Sequence, residues 1–294
     1  MKILITIPHY YRYQKDAIYG SMKKDPAPRI EALTQCISSL HQLFGSSQYY
    51  IDYFNKEAFP ANLSYQHQLD IMVFTTDSCH LLDEISLPKN DYIHIPTKTQ
   101  PMLLGFECAQ FMKQHNNDYD FFCFMEDDLI ISDPHFFQKL QWFAKSTSNH
   151  NLLQPNRFEV SPNHVAKKCY IDGLIANIFN YLSFYSFEGP DITANFYGTD
   201  VQFSQPLNPH SGCYFLNAEQ FEYWTKQPYF SEIDTGFIGP LESAASLGIM
   251  KTFNIYKPSP QNANFLEIKH YGNAYIQLAG ERIELVSASS QETT

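Results

Sequence analysis

Five apolar residues in succession, Phe121–Met125, run without a spacer into three carboxylates, Glu126-Asp127-Asp128. A strand with no polar residue on either side must be covered on both faces. The rest of the first half supplies the partners for such a strand. Lys2–Pro8 (KILITIP) is a β-branched run ended by proline. Ile30, Leu33, Ile37, Leu40 and Phe44 share one helical face over 29–44. A second strand (LDIMVFTT) covers 69–76 and ends at Asp77, and a short third covers 92–95. Pro101 opens a helix in which Leu104, Cys108, Phe111 and Met112 form a stripe. Asp133-Pro134 introduces another helix over Phe136–Ser146. Strand and helix thus alternate, which predicts an α/β fold with a mostly parallel central sheet flanked by helices.

The second half is less regular. Residues 165–210 are rich in aromatics, Asn, Gly and Pro and carry no clear period. A strand is expected over 212–216, and Asn217 with Gln220 marks the start of the next helix. Gly239-Pro240 opens a short helix that Gly248 is expected to stop, followed by a strand over 249–256 and a frayed tail at 291–294. The formal charge of −11 argues against a general nucleic-acid binder, whose affinity comes mostly from cations set against phosphates. Phe 24, Tyr 20 and Trp 2 supply a large core and surfaces able to stack on sugars. No run of 18 apolar residues is present, so no membrane span is expected, while peripheral contact with a membrane surface stays open. The six cysteines include no C-x-x-C pair, and they read as reduced thiols of a cytoplasmic protein.

The acidic triplet is the chemical signal. Ligands of open α/β sheets bind outside the carboxyl ends of the strands, which is where the triplet falls. Three adjacent carboxylates repel one another. A hard divalent cation, Mn²⁺ or Mg²⁺, would offset the repulsion and bridge them to a substrate phosphate. It could also stabilise a diphosphate leaving group, reconciling an acidic chain with an anionic ligand. The plain alternative is a solvated acidic turn.

With its strand and helix context, Glu126-Asp127-Asp128-Leu129 followed by Pro134 and Phe136-Phe137 resembles the D-x-D motif of metal-dependent GT-A glycosyltransferases. The local likeness is to N-acetylglucosaminyltransferases of the transferase I type, and it covers about 45 residues, including the helix at 104–111. The resemblance implies a Rossmann-like GT-A domain that transfers a sugar from a nucleotide-diphosphate donor, a UDP-sugar over a GDP-sugar, to a saccharide or glycoconjugate hydroxyl. Residues 1–130 would form the nucleotide-sugar half, 131–275 the acceptor and catalytic half, and 276–294 a tail. By position, Asp128 would bind the metal, and Glu126 and Asp127 would meet the ribose or metal-bound water. Ile7-Pro8 would lie against the base, Asp77 would bind uracil or ribose, and Arg12 would reach the diphosphate.

An inverting transferase also needs a carboxylate that takes the acceptor proton. The resemblance places it at Glu242, in the helix opened by Gly239-Pro240, with Asp234 in reserve. Ser243 follows Glu242 where the family's usual pair has a second acid, so inversion versus retention stays open. His270 matches the C-terminal histidine that many such enzymes give to the metal. Ser211-Gly212 matches the small-residue segment that the donor sugar approaches. Phe179, Tyr181, Phe184, Tyr185, Phe187, Phe196 and Tyr197 would line an acceptor groove or pack in the core. Two other readings stand beside this one: a metal-dependent sugar nucleotidyltransferase, and a non-catalytic nucleotide-sugar-binding protein. The first is disfavoured because the segment after the first strand has no glycine before Gly20. A serine hydrolase is disfavoured because no G-x-S-x-G elbow occurs.

Overall fold

The computed structural model describes residues 1–17, 19–174, 185 and 189–286. Its elements in chain order begin with β1 (Lys2–Pro8), α1 (Ala27–Phe44), β2 (Tyr49–Asp52), β3 (Glu57–Pro60), β4 (Gln68–Thr76) and β5 (Ile93–Thr97). There follow α2 (Leu104–Gln114), β6 (Phe121–Met125), β7 (Leu129–Ile130), α3 (Phe136–Ser146), β8 (Asn151–Leu153), β9 (Asn156–Val160) and β10 (Lys168–Tyr170). The last are β11 (Ile192–Phe196), β12 (Thr199–Ser204), β13 (Cys213–Asn217), α4 (Ala218–Thr225), α5 (Pro240–Met250), β14 (Asn254–Pro258) and β15 (Glu267–His270).

The central sheet has the order β13-β6-β1-β4-β5. β1 pairs in parallel with both β4 and β6, β4 pairs in parallel with β5, and β13 joins β6 antiparallel at the edge. The fold is thus α/β with a mostly parallel central sheet. Strand order reverses between β1 and β6, which opens a crevice at their carboxyl ends.

Alternation along the strands divides the core in two. Ile3, Ile5, Ile7, Phe121, Cys123 and Met125 pack with α1 and α3, through Leu33, Ile37, Phe136 and Phe137. Leu4, Phe122 and Phe124 pack on the other face with α2, α4 and α5, through Leu104, Met112, Phe221 and Leu247. This two-sided cover is what the uninterrupted apolar run of β6 requires. Each fully buried Phe contributes about 1.5–3 kcal/mol relative to an exposed one.

The start of α4 follows its sequence signal. Asn217 accepts from the Gln220 amide, and Gln220 returns a bond to the Asn217 amide. The end of α5 departs from expectation. The helix runs through Gly248 to Met250, and the strand behind it starts only at Asn254. A Cβ on Gly248 would stand 2.5 Å from the Trp224 ring, so this glycine permits close packing and does not terminate the helix.

Two four-stranded sheets, β10-β9-β15-β7 and β11-β12-β14-β8, build the second half. The first of them positions the site, because β7 begins immediately after the acidic triplet and pairs antiparallel with β15, setting His270 opposite Leu129. A separate hairpin, β2–β3, carries the exposed Tyr50, Tyr53 and Phe54. Among the described residues no helix is long and apolar enough to cross a membrane.

Candidate active site

The triplet leaves β6 at the reversal of strand order, and each of its side chains has a different environment. Asp127 is buried and bridges the crevice. His9, the residue after β1, reaches it from Nδ1 to Oδ2 at 2.5 Å. The other ring nitrogen of His9, Nε2, accepts from the Leu81 amide at 3.1 Å. The His9 proton therefore belongs on Nδ1, where it is donated to Asp127. Arg29, from the first turns of α1, donates one Nη to Asp127 and the other to Asp128 Oδ2, the latter at 2.8 Å. Burial by itself would raise the Asp127 pKa. The charge of Arg29 and the bonds from His9 and Arg29 outweigh it and hold the carboxyl at about 2.

Asp128 is less completely satisfied. Its Oδ1 is buried with no hydrogen-bond partner. His270 Nε2 lies 3.8 Å from Asp128 Oδ2. The Tyr271 amide, one residue on, donates to the Asp128 carbonyl at 2.8 Å and fixes the two segments together. His270 Nδ1 is held by Glu159 at 2.9 Å. Burial works against a charged His270, but the bond to Glu159 and the charge of Asp128 prevail, so its pKa is raised.

Glu126 faces the third direction. Its amide donates to the Gly212 carbonyl at 2.9 Å, and a Cβ on Gly212 would meet Glu126 Oε2 at 2.5 Å. Gly212 has a φ of +62°, so both conformation and space call for glycine there. Ser211 is buried and its hydroxyl donates to the Pro155 carbonyl. Arg157 Nη1 approaches Glu126 Oε2 at 3.9 Å, while its Nε is tied to Asp172 at 2.7 Å. Burial, then the charge of Asp128, push the Glu126 carboxyl up to about 7, against the pull of Arg157 and His270. Glu242 adds to the push, which places it in electrostatic reach of the triplet.

The other expected site residues fall as follows. The Ile7 side chain is fully buried in the core, so that position can offer a ligand only backbone. Pro8 ends β1 at the crevice. Asp77 is exposed at the end of β4 with a φ of +49°, its amide donating to the Thr97 carbonyl. Arg12 is exposed, and its amide donates to the Ser21 carbonyl. Asp234 accepts from Lys251 at 2.6 Å in a groove between α2 and α5 that none of Glu126, Asp127, Asp128 or His270 lines. That bond, first of its causes, lowers the Asp234 pKa and makes it an ion-pair partner, poorly suited to taking a proton. Phe179, Tyr181, Phe184 and Phe187 lie outside the described residues, as do 287–294. Tyr185 is buried and bonded to the Ile255 carbonyl, Phe196 packs on Trp142 and Phe265, and Tyr197 is exposed.

The donor set bears on a metal. Among the described residues no group of three or more His, Cys, Asp or Glu side chains converges to hold an ion by itself. Asp127 has both oxygens occupied. Asp128 Oδ1 has no hydrogen-bond partner, and His270 Nε2 lies 3.8 Å from the other oxygen of the same carboxylate. An orphaned buried carboxylate oxygen attracts a cation, and a neutral His270 ring protonated at Nδ1 would offer it the Nε2 lone pair. A hard divalent ion that takes one or two protein ligands, with the rest from phosphate and water, fits this pair.

His9, Arg29, Glu159 and Arg157 were not legible in the sequence as site residues. His9 alone had a signal, as the first residue beyond a buried strand.

No family model matches the sequence, and no curated protein matches it. Among solved structures, the crystal structure of S. aureus TarS is similar, with a TM-score of 0.43 and 12% identity over 93% of this chain. The chain spans 37% of the length of that protein.

Proposed function

We propose that this protein is a glycosyltransferase that moves a sugar from a nucleotide-diphosphate donor, a UDP-sugar in the first instance, to a saccharide or glycoconjugate hydroxyl. One observation carries the reading: Glu126, Asp128 and His270, drawn from two separate stretches of chain, meet where strand order reverses at the carboxyl ends of the sheet, and the charge of Glu242 is felt at Glu126. Asp128 and His270 would hold Mn²⁺ or Mg²⁺, which when bound neutralises the donor diphosphate and stabilises it as a leaving group. Pro8 ends β1 and Asp77 follows β4, where base and ribose would lie, and Arg12 would reach the phosphate. The donor sugar would approach Ser211-Gly212, where Glu126 Oε2 now fills the space beside the glycine. Glu242 takes the proton of the acceptor hydroxyl as its oxygen bonds to the anomeric carbon and the bond from that carbon to the diphosphate breaks, which is inversion by direct displacement.

A thermal-shift screen of nucleotide sugars with and without Mn²⁺ tests the reading, since a ligand that binds only the folded state raises its melting point. A UDP-sugar is expected to stabilise the wild-type protein only with Mn²⁺, and Asp128→Ala is expected to abolish that shift. Equal shifts with and without the ion, or in the variant, refute the metal role. Glu242→Ala is expected to keep nucleotide binding and lose turnover, which separates a transferase from a non-catalytic binder.

A further inference from the structure

Glu159 is fully buried and is itself neither a cation ligand nor a proton acceptor in the proposed chemistry. Its Oε2 accepts from two backbone amides, Tyr275 at 2.9 Å and Ile276 at 2.8 Å, and its Oε1 faces His270 Nδ1 at 2.9 Å. An oxygen pair enclosed by donors in this way belongs to a carboxylate, which can only accept. In the neutral His270 ring the proton is then required at Nδ1, and Nε2, on the side of Asp128, keeps its lone pair. Register holds the arrangement: β9 lies beside β15, so Glu159 follows Phe158, which pairs with Lys269. The same carboxylate anchors the 275–276 turn that follows His270.

We infer that Glu159 is a positioning residue that fixes the His270 tautomer and orientation, so that His270 Nε2 and the orphaned Asp128 Oδ1 form a preformed seat for a divalent cation. The inference rests on the proposed reading of Asp128 and His270 as cation ligands. It adds that the seat is built by a carboxylate on a strand remote from the acidic triplet, and that its strength depends on that carboxylate.

The test uses the full chain, UDP and Mn²⁺, with free Mn²⁺ followed by electron paramagnetic resonance. Glu159→Gln is expected to weaken Mn²⁺ binding by about 10–100-fold, as lost outer partners of a ligating histidine do. His270→Ala is expected to weaken it similarly, and the double variant no further than His270→Ala alone. A role confined to folding would lower the melting point and leave Mn²⁺ affinity unchanged. Folded Glu159→Gln that binds Mn²⁺ as tightly as wild type overturns the inference and leaves the cation reading standing. Wild-type protein that takes up no Mn²⁺ overturns both. Where Glu159→Gln does not fold, long-range ¹H–¹⁵N spectra of the wild-type histidines decide: a His270 ring protonated at Nδ1 is the expected result, and one protonated at Nε2 overturns the inference.

Discussion

Arg29 is the residue on which the electrostatics of the crevice turn. It reaches Asp127 and Asp128 together, with 15% of its side chain exposed. Adjacent carboxylates at the end of a buried strand are tolerable in the free protein because this guanidinium lies between them. Removing one partner of a buried pair leaves the other as an uncompensated charge. Arg29→Met is therefore expected to destabilise the protein by about 3–5 kcal/mol in urea unfolding, with part of the loss recovered by adding Mn²⁺. A loss below about 1 kcal/mol would mean that the carboxylates are solvated and that Arg29 is a surface ion pair. Sequence reasoning found the triplet from its unusual position. It could not find Arg29, because an arginine near a helix start looks the same whether its partner lies in solvent or about a hundred residues along the chain.

Among the elements, α5 and the turn before it decide where Glu242 stands. The Gly239 amide donates to the Phe237 carbonyl at 2.7 Å, closing a γ-turn whose apex, Ile238, has a φ of +58°. A β-branched residue in the left-handed region is strained. Ser243 holds the turn, its hydroxyl accepting from the Phe237 amide and donating to the Phe237 carbonyl, both at 3.0 Å. Relief of strain of about 1–3 kcal/mol against a glycine entropy loss of up to about 1 kcal/mol gives Ile238→Gly a melting point at or above wild type. Turnover on the donor identified by screening is expected to fall if Glu242 is the base, since it is then less firmly placed. Unchanged turnover would show that the turn does not position the proposed base. At the other end of α5, Gly248→Ala gains about 1 kcal/mol of helix preference but drives a methyl group into the Trp224 ring. The overlap is expected to win, with a net destabilisation of about 1–2 kcal/mol by calorimetry. A stabilised variant would show that Trp224 moves aside freely. The expectation that Gly248 stops the helix failed for the same reason: glycine's role there is set by an aromatic ring packed from another helix, and local preference is silent about it.

Over the whole molecule, the buried charges give stability a dependence on pH with opposing parts. Asp127 and Asp172 are held at about 2, so their contribution is present above the ordinary value of 3.8 and lost as pH falls through 2. Burial lowers the His210 pKa, so its contribution is lost as pH falls below the ordinary 6.5. Glu126, raised from 4.5 to about 7, acts the other way: its contribution is full below 4.5 and disappears as pH rises through 7. The stability of Glu126→Gln relative to wild type is therefore expected to climb between about pH 4.5 and pH 7, by on the order of 2 kcal/mol. Chemical denaturation of both proteins across that range checks it, and a flat difference would place the Glu126 proton in solvent.

Local sequence was enough to determine the strands of the central sheet, their alternation with helices and the arrival of three carboxylates at the carboxyl edge of that sheet. Those features follow from hydrophobic period and from turn chemistry, which act between near neighbours. The tertiary structure alone decided that His9 and Arg29 close on Asp127 and that His270 lies between Glu159 and Asp128. Each of these joins segments far apart in the chain, and their meeting depends on strand order and register. Nothing in the composition of either segment records which strand the other will lie beside.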